Sequence, residues 1–283
     1  MHEEADVTTI VPTFRRPTQV VDAIQSALSQ EGVSVEVRVI DDSPEGSARE
    51  AALSFADARV TYSKRASPSR GRPALPRNEV WPLARSRYVH FLDDDDILVP
   101  GAYRALLQAL EASPSAAMSF GCVDAFGADP ALVEHEVRFW RAGAARARRA
   151  ALLGRMALVA TMLFDDAVLQ NSACLVRKSA LEELGGFDPL MPLQEDTELH
   201  ARGTRLRGSV FVDRNVVRYR VNPTSLMRSE NVQALLNESY QRMHRKYRER
   251  HGYAEFMALK LLVRGPTAVA KLRRRWQRQP FME

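Results

Sequence analysis

The chain has 283 residues, 45% hydrophobic and 27% charged, with a formal net charge of +5. That composition describes a globular protein with room for one large α/β domain, or for one domain and a tail. No run reaches the roughly 18 apolar residues of a membrane span, and the longest candidate, residues 156–164, is half as long, so a single-span protein is not expected.

The acidic N-terminal residues carry no signal-peptide pattern. The two cysteines, Cys122 and Cys174, lack metal-ligand spacing and read as buried thiols. Both points fit a reducing, cytoplasmic setting.

The first hundred residues alternate strand and helix. Residues 7–11 read as a short buried strand, and 18–30 as a helix with Val20, Val21, Ile24 and Leu28 on one face. Residues 33–40 alternate as a strand and 60–63 form a weak one. A helix over 74–86 is interrupted by Pro76 and Pro82. Residues 87–92 are a strand and 101–112 a helix. This order implies parallel pairing with right-handed crossovers. The second half is less regular. Strands are expected over 116–120, 172–176 and 209–212, and helices over 178–184, 195–207 and 231–250. Residues 127–165 form a long basic and apolar segment that matches no pattern.

The most informative run is Asp93-Asp94-Asp95-Asp96, which follows an apolar strand directly. Like charges ~4 Å apart cost roughly 1 kcal/mol in water and about 4 near a protein surface. A divalent cation would compensate, because hard cations take oxygen ligands. The alternative is capping of a helix starting near Pro100. Two other strands also end in polar turns, at Pro12-Thr13-Phe14-Arg15 and at Asp41-Asp42-Ser43. Ligands of open α/β sheets bind outside the carboxyl ends of the strands.

Five motifs in order resemble family 2 glycosyltransferases: Thr9-Ile10-Val11-Pro12-Thr13-Phe14, Val39-Ile40-Asp41-Asp42-Ser43, Arg77-Asn78, the Phe91–Asp96 run, and Gly185-Gly186-Phe187-Asp188 followed by Gln194-Glu195-Asp196. The resemblance covers about residues 7–225. It implies a GT-A fold, a Rossmann-like, mostly parallel sheet flanked by helices. It also implies inverting transfer of a sugar from a nucleotide donor. The nucleotide-binding half would span about 7–112 and the acceptor half about 113–229 of a domain over 1–229. A helical, basic C-terminal extension would follow over 230–283.

The resemblance also assigns roles. Pro12, Thr13, Phe14 and Arg15 would surround the nucleobase, and Asp42, or alternatively Asp41, would accept uracil N3–H. Arg72, Arg77 and Asn78 would face the diphosphate. Asp93 and Asp95 would be the two acids of a DxD motif holding Mg2+ or Mn2+, with Asp94 beside them in the nucleotide site. Asp196 would be the catalytic base, supported by Glu195. Asn222 stands where many relatives place a His, and residues 225–229 are expected to form a loop over the diphosphate.

The expected donor is a UDP-sugar, with dTDP- or GDP-sugars as alternatives. The expected acceptor is a glycan, lipid-linked or other hydroxyl, in bacterial glycan or surface polysaccharide synthesis. A sugar-nucleotide pyrophosphorylase would need a Gly-rich loop after the first strand, which Pro12-Thr13-Phe14-Arg15 is not. A non-enzymatic anion-binding protein is the remaining rival. No nucleic-acid motif is present. Arg-rich residues 141–155 and 271–278 make an anionic membrane surface a further candidate partner, peripheral on the inner membrane.

Overall fold

The computed structural model describes residues 5–69, 71–165, 169–222, 228 and 230–276, with side chains as far as Arg264. In chain order the first elements are β1 (Val7–Thr13), α1 (Gln19–Leu28), β2 (Val35–Asp41), α2 (Arg49–Leu53), β3 (Val60–Lys64), α3 (Ala74–Val80), β4 (Tyr88–Phe91), β5 (Ile97–Leu98) and α4 (Ala102–Glu111). Then follow β6 (Met118–Phe126), α5 (Pro130–Leu153), α6 (Arg155–Phe164), β7 (Cys174–Arg177), α7 (Lys178–Leu184), α8 (Glu195–Arg207), β8 (Ser209–Arg220), α9 (Val232–His251) and α10 (Tyr253–Trp276).

The strands form one sheet in the order β3-β2-β1-β4-β7-β6-β8-β5. The β1–β2, β1–β4, β2–β3 and β6–β8 pairs are parallel, and β4–β7, β6–β7 and β5–β8 are antiparallel. The sheet is therefore mostly parallel. β1 is buried on both faces except at Pro12, as expected of a central strand covered by helices on either side. Because β1, β2 and β4 run the same way, their C-terminal ends share one edge, and the turns after Thr13, Asp41 and Phe91 lie together.

α1 buries Val20, Ala23, Ile24 and Ala27, while Val21 and Leu28 are only partly covered. Small alanines at the contact let the helix sit close to the sheet. The helix expected over 74–86 ends at Val80 and continues as a 3-10 turn, Trp81–Leu83, that accommodates Pro82.

β6 and β8 are longer than their sequence patterns. Their register slips between Gly121 and Val123, which lets Asp213, Arg214 and Asn215 stand exposed inside a continuous strand. Those residues resemble a turn in isolation. Pairing with β6 carries the strand through them as a bulge.

Residues 127–165 are two helices. Asp129 caps α5 by accepting from Ala131 and Leu132 N–H at 2.9 and 3.2 Å. Gly154, at φ 98°, separates α5 from α6. The buried stripe of α5 is Trp140, Gly143, Ala147 and Ala150, too small and polar-flanked to stand out as apolar periodicity. Residues 157–163 of α6 are all buried.

Apolar residues of α9 and α10, including Met243, Tyr247, Phe256 and Leu259, join the same core as Phe91 and Phe120. Among the described residues, no helix is long and apolar enough to cross a membrane, and both cysteines are free.

The outer face of α5 carries exposed Arg141, Arg148 and Arg149, then Leu152 and Leu153 at 85% and 70% exposure. This end of α5 lies near the start of β8, with Arg155 beside Gly208, on the edge of the sheet away from the Asp run. The basic residues 271–278 lie outside the described side chains.

Candidate functional site

Thr13, ending β1, donates to the Asp94 carboxylate at 2.7 Å, and Phe14 N–H donates to it at 3.4 Å. Arg16 Nη1 bridges Asp94 and Asp95 at 2.8 Å each. The first and fourth strands are thus joined through the run itself. Phe14 is 48% exposed, Pro12 is half-buried, and exposed Arg15, at φ 55°, pairs with Glu45 at 2.8 Å.

The four acids do four different things. Asp96 is fully buried and accepts from Gln170 Nε2 (2.6 Å), Ser172 Oγ (2.7 Å) and Arg220 N–H (3.1 Å). It fastens the start of β7 to the end of β8. Burial, with Asp93 and Asp95 nearby, raises its pKa well above the carboxylate range. Asp94 is bound to β1. Burial, aided by Asp94 and Asp93, pushes Asp95 up to about 7 despite Arg16. Asp93 is the most open of the four, with its side chain one-third exposed. None caps a helix: β5 and Gly101 intervene before α4, whose start has no side-chain cap.

At the second strand end, Asp41 is spent internally. It accepts from Ser43 N–H and Oγ, Ala48 N–H and Tyr62 Oη, which shapes the turn into α2. Asp42 takes Arg65 Nη1 at 2.9 Å, and Ser69 N–H and Oγ at 2.7 and 2.5 Å. Arg72 is exposed just beyond this loop, its N–H on Ser69 Oγ.

Arg77 links the two halves of the site. It is buried, donating to Asp93 at 2.6 Å from Nη2 and to Glu195 from Nη1, and lies 5.6 Å over the Phe187 ring. Burial opposes its charge, but Asp93, Glu195 and Asp196 hold it cationic. Burial drives Glu195 up to about 7, with Arg77 opposing. Asn78 uses its amide on the protein: Nδ2 donates to Phe187 O at 2.8 Å, and Oδ1 accepts from Phe187 N–H at 2.9 Å. Gly186, at φ 74°, must be glycine here, because a Cβ would stand 2.6 Å from Asn78 Oδ1.

Glu195 and Asp196 open α8 in its first turn. Asp196 is half-buried, and its Oδ1 accepts from Thr197 N–H at 2.7 Å. Carboxylates a hundred residues apart in the chain therefore meet around one guanidinium. Asn222 is half-buried, with its carbonyl accepting from Arg228 at 3.0 Å. Of the expected 225–229 loop, only Arg228 is among the described residues.

Sequence reasoning missed Arg16, Arg65, Ser69, Gln170 and Ser172. Each is a common polar residue in a loop or strand start with no local signal. Only the fold brings it to an Asp.

Among the described residues, no group of three or more His, Cys, Asp and Glu is placed to hold a metal alone. The chemistry still fits a divalent cation that shares its ligands with a diphosphate. Asp95 is buried beside Arg16, and Asp93 near it has a side chain one-third exposed. Both are hard oxygen donors.

Deeper in, buried His200 has no hydrogen-bond partner on either ring nitrogen among the described residues. Burial, with Arg77 adding to it, lowers its pKa to about 3. Below pH about 6.5 the unfolded chain binds a proton that the folded chain refuses, so this contribution is complete above pH 6.5 and lost as pH falls. Between pH 7.5 and 5, wild type should lose about 2 kcal/mol relative to His200→Leu. Urea unfolding at both pH values checks this. A gap that does not change with pH would contradict it.

The family model of glycosyl transferase family 2 matches residues 8–185, well over half of the chain. The chain belongs to glycosyl transferase family 2. This family 2 chain is 35% identical over 108 residues to the succinoglycan biosynthesis protein ExoO of Rhizobium meliloti (strain 1021), a match covering 38% of this chain and 30% of that one. The match thus spans under a third of that relative. Among solved structures, mannosyltransferase PcManGT of Pyrobaculum calidifontis, in complex with GDP-Man and Mn2+, superposes with a TM-score of 0.62 at 18% identity, covering 99% of this chain and 77% of that one. S. aureus TarS 1–349 in complex with UDP-GlcNAc superposes at 0.59 and 15% identity, covering 84% and 66%. At these identities the likeness establishes the GT-A fold.

Proposed function

We propose that this family 2 chain is an inverting glycosyltransferase that moves a sugar from a UDP-sugar to an acceptor hydroxyl during glycan or surface polysaccharide synthesis. One observation carries the reading: Arg77 joins Asp93, in the candidate donor site, to Glu195, beside the candidate base. The name of the R. meliloti relative, a succinoglycan biosynthesis protein, supports the glycan context.

Thr13, Phe14 and Asp42 would hold the nucleobase, and Asp93 and Asp95 would hold Mg2+ or Mn2+. Bound there with a diphosphate, the ion supplies positive charge to the leaving group as a Lewis acid. Arg77 adds a fixed cation in the same place and keeps Asp93 oriented. Asn78 acts at one remove, fixing the loop at Phe187. Asp41 likewise acts through the turn that presents Asp42. Exposed Arg15 and Arg72 sit at the two turns bordering the nucleotide site, where either could reach a phosphate.

Asp196 would take the acceptor proton. Its Oδ1 is occupied by Thr197 N–H, and Oδ2 accepts no hydrogen bond among the described residues. A hydroxyl is a poor nucleophile and needs such a positioned base. One base, on the face of the sugar opposite the leaving diphosphate, gives inversion.

The fold hosts both UDP-GlcNAc and GDP-Man in other proteins, so donor choice is a matter of binding. Calorimetric titration of UDP, GDP and dTDP, with and without Mn2+, tests it. UDP should bind in a Mn2+-dependent way, and Asp95→Ala should weaken it by about tenfold or more, the equivalent of one charge-assisted contact. Tighter GDP or dTDP binding would replace the donor. No binding of any diphosphate would overturn the enzymatic reading.

A further inference from the structure

The segment leading into Glu195 and Asp196 is strained. Gln194, just before α8, has φ 55°, left-handed for a residue with a Cβ, and makes no side-chain cap. Such a conformation persists only where the surroundings over-determine it.

The residues that do so come from α9. Ser239 Oγ, buried, accepts from Leu193 N–H at 3.0 Å and donates to Leu235 O at 2.8 Å. Gln194 Nε2 donates to Tyr240 Oη at 3.2 Å. Asp188, at the start of the segment, is buried and accepts from Arg242 at 2.7 and 3.1 Å and from Lys246 at 2.9 Å. Burial opposes its charge, yet these two cations hold it well below the ordinary carboxylate range. Lys246 also stands 3.7 Å from Glu198 in the first turn of α8. Glu198 accepts from Arg202 at 2.8 and 2.9 Å, and Arg202 donates to the Leu184 and Gly186 carbonyls at 2.7 Å each.

Residues 185–194 are therefore tied twice. Asn78 holds Phe187 from the side of the donor site, and α9 holds Asp188, Leu193 and Gln194 from the other. α9 lies beyond the segment that matches the family model, which ends at 185.

We infer that α9 is part of the catalytic apparatus: Ser239, Tyr240, Arg242 and Lys246 are positioning residues that fix residues 188–194 and so aim the Asp196 carboxylate at the acceptor. This rests on Asp196 being the base. The strain explains why a clasp is needed. Released at Asp188, Gln194 relaxes toward an ordinary helical or extended backbone, and the first turn of α8 rotates with it. A displacement of about 1 Å at a reacting group can cost on the order of a hundredfold in rate.

The test uses the full chain and reads UDP release from the best donor in a panel of UDP-GlcNAc, UDP-glucose and UDP-galactose, beside calorimetric UDP–Mn2+ affinity and Tm. Arg242→Ala should lower kcat by about tenfold or more with UDP affinity kept within about twofold, the signature of an interaction that matters in the transition state. Arg242→Lys, which keeps the charge, should recover most of the loss. Glu255→Gln is the control. It takes the negative charge out of the Arg205–Glu255 and Tyr247–Glu255 contacts of 2.8 and 2.6 Å between α8, α9 and α10, away from the strained segment, and should lower Tm while leaving kcat unchanged.

Unchanged kcat in Arg242→Ala, or a loss that tracks Tm as in the control, would overturn the inference. Asp196→Asn in the same assay separates the two readings. If it stays active, the base assignment fails. If it is inactive while Arg242→Ala is fully active, only the clasp fails.

Discussion

Asp196→Asn should reduce sugar transfer by about 10²- to 10⁴-fold, the range contributed by a positioned general base, while UDP–Mn2+ affinity stays near wild type. The substitution keeps the size and the Oδ1 contact with Thr197 N–H. It removes the negative charge and with it the ability to take a proton. Asp196 lies on α8, away from the first two strand ends that would hold the nucleotide, so binding and chemistry should separate. Donor titration on the variant, beside a turnover assay, measures both. Loss of binding together with turnover would mean the site had collapsed. Retained turnover would remove Asp196 from the mechanism. A protein that only binds anions predicts no turnover in wild type either.

The second large effect is expected at Arg77→Met. Removing one partner from a buried ion pair typically costs 3–5 kcal/mol, because the remaining charge is left buried and unpaired. Arg77 serves two acids, Asp93 and Glu195. Glu195 already sits near pH 7 and can neutralise itself by taking a proton, so a loss of about 3 kcal/mol is expected rather than the upper limit. Urea unfolding at pH 7.5 reads it. The double variant Arg77→Met/Glu195→Gln should recover part of the stability but none of the activity, because Asp93 still lacks its partner. Additive losses would show that the two residues do not act as a pair.

The two predictions depend on different parts of the structure. Asp196 lies at the start of a helix whose entry is held by α9. Arg77 acts at the centre, where residues from α3, the turn after β4 and α8 converge. Residues 185–195 link the two regions, because Asn78 and Arg77 grip that stretch from one side and α9 from the other.

Much of the first half was legible in the chain itself. Alternating or continuous apolar runs such as 7–11 and 33–40 mark strands because the side-chain period of a strand is local. The Asp run and the Asp41-Asp42 turn stood out as local concentrations of charge, and the Glu195-Asp196 pair only through the resemblance to the family. Their separate fates were not. Asp96 and Asp41 become internal fasteners, and Asp93 stays open, because burial and partners such as Gln170, Ser172 and Tyr62 are set by distant segments.

The chain alone therefore determined the strand–helix alternation, the parallel sheet edge and the residue types at its rim, since these follow from periodicity and side-chain chemistry over a few neighbours. Tertiary structure decided the rest. The bulge that carries β8 through Asp213–Asn215 depends on pairing with β6. The burial of an alanine stripe on α5 depends on the sheet it meets. The gathering of Asp93 and Glu195 around Arg77, and the hold of α9 on Gln194, depend on contacts between residues 16 to 118 positions apart. Such contacts form only after the loop-closure entropy between them has been met by packing of the whole core, and that leaves no trace in any single window of sequence.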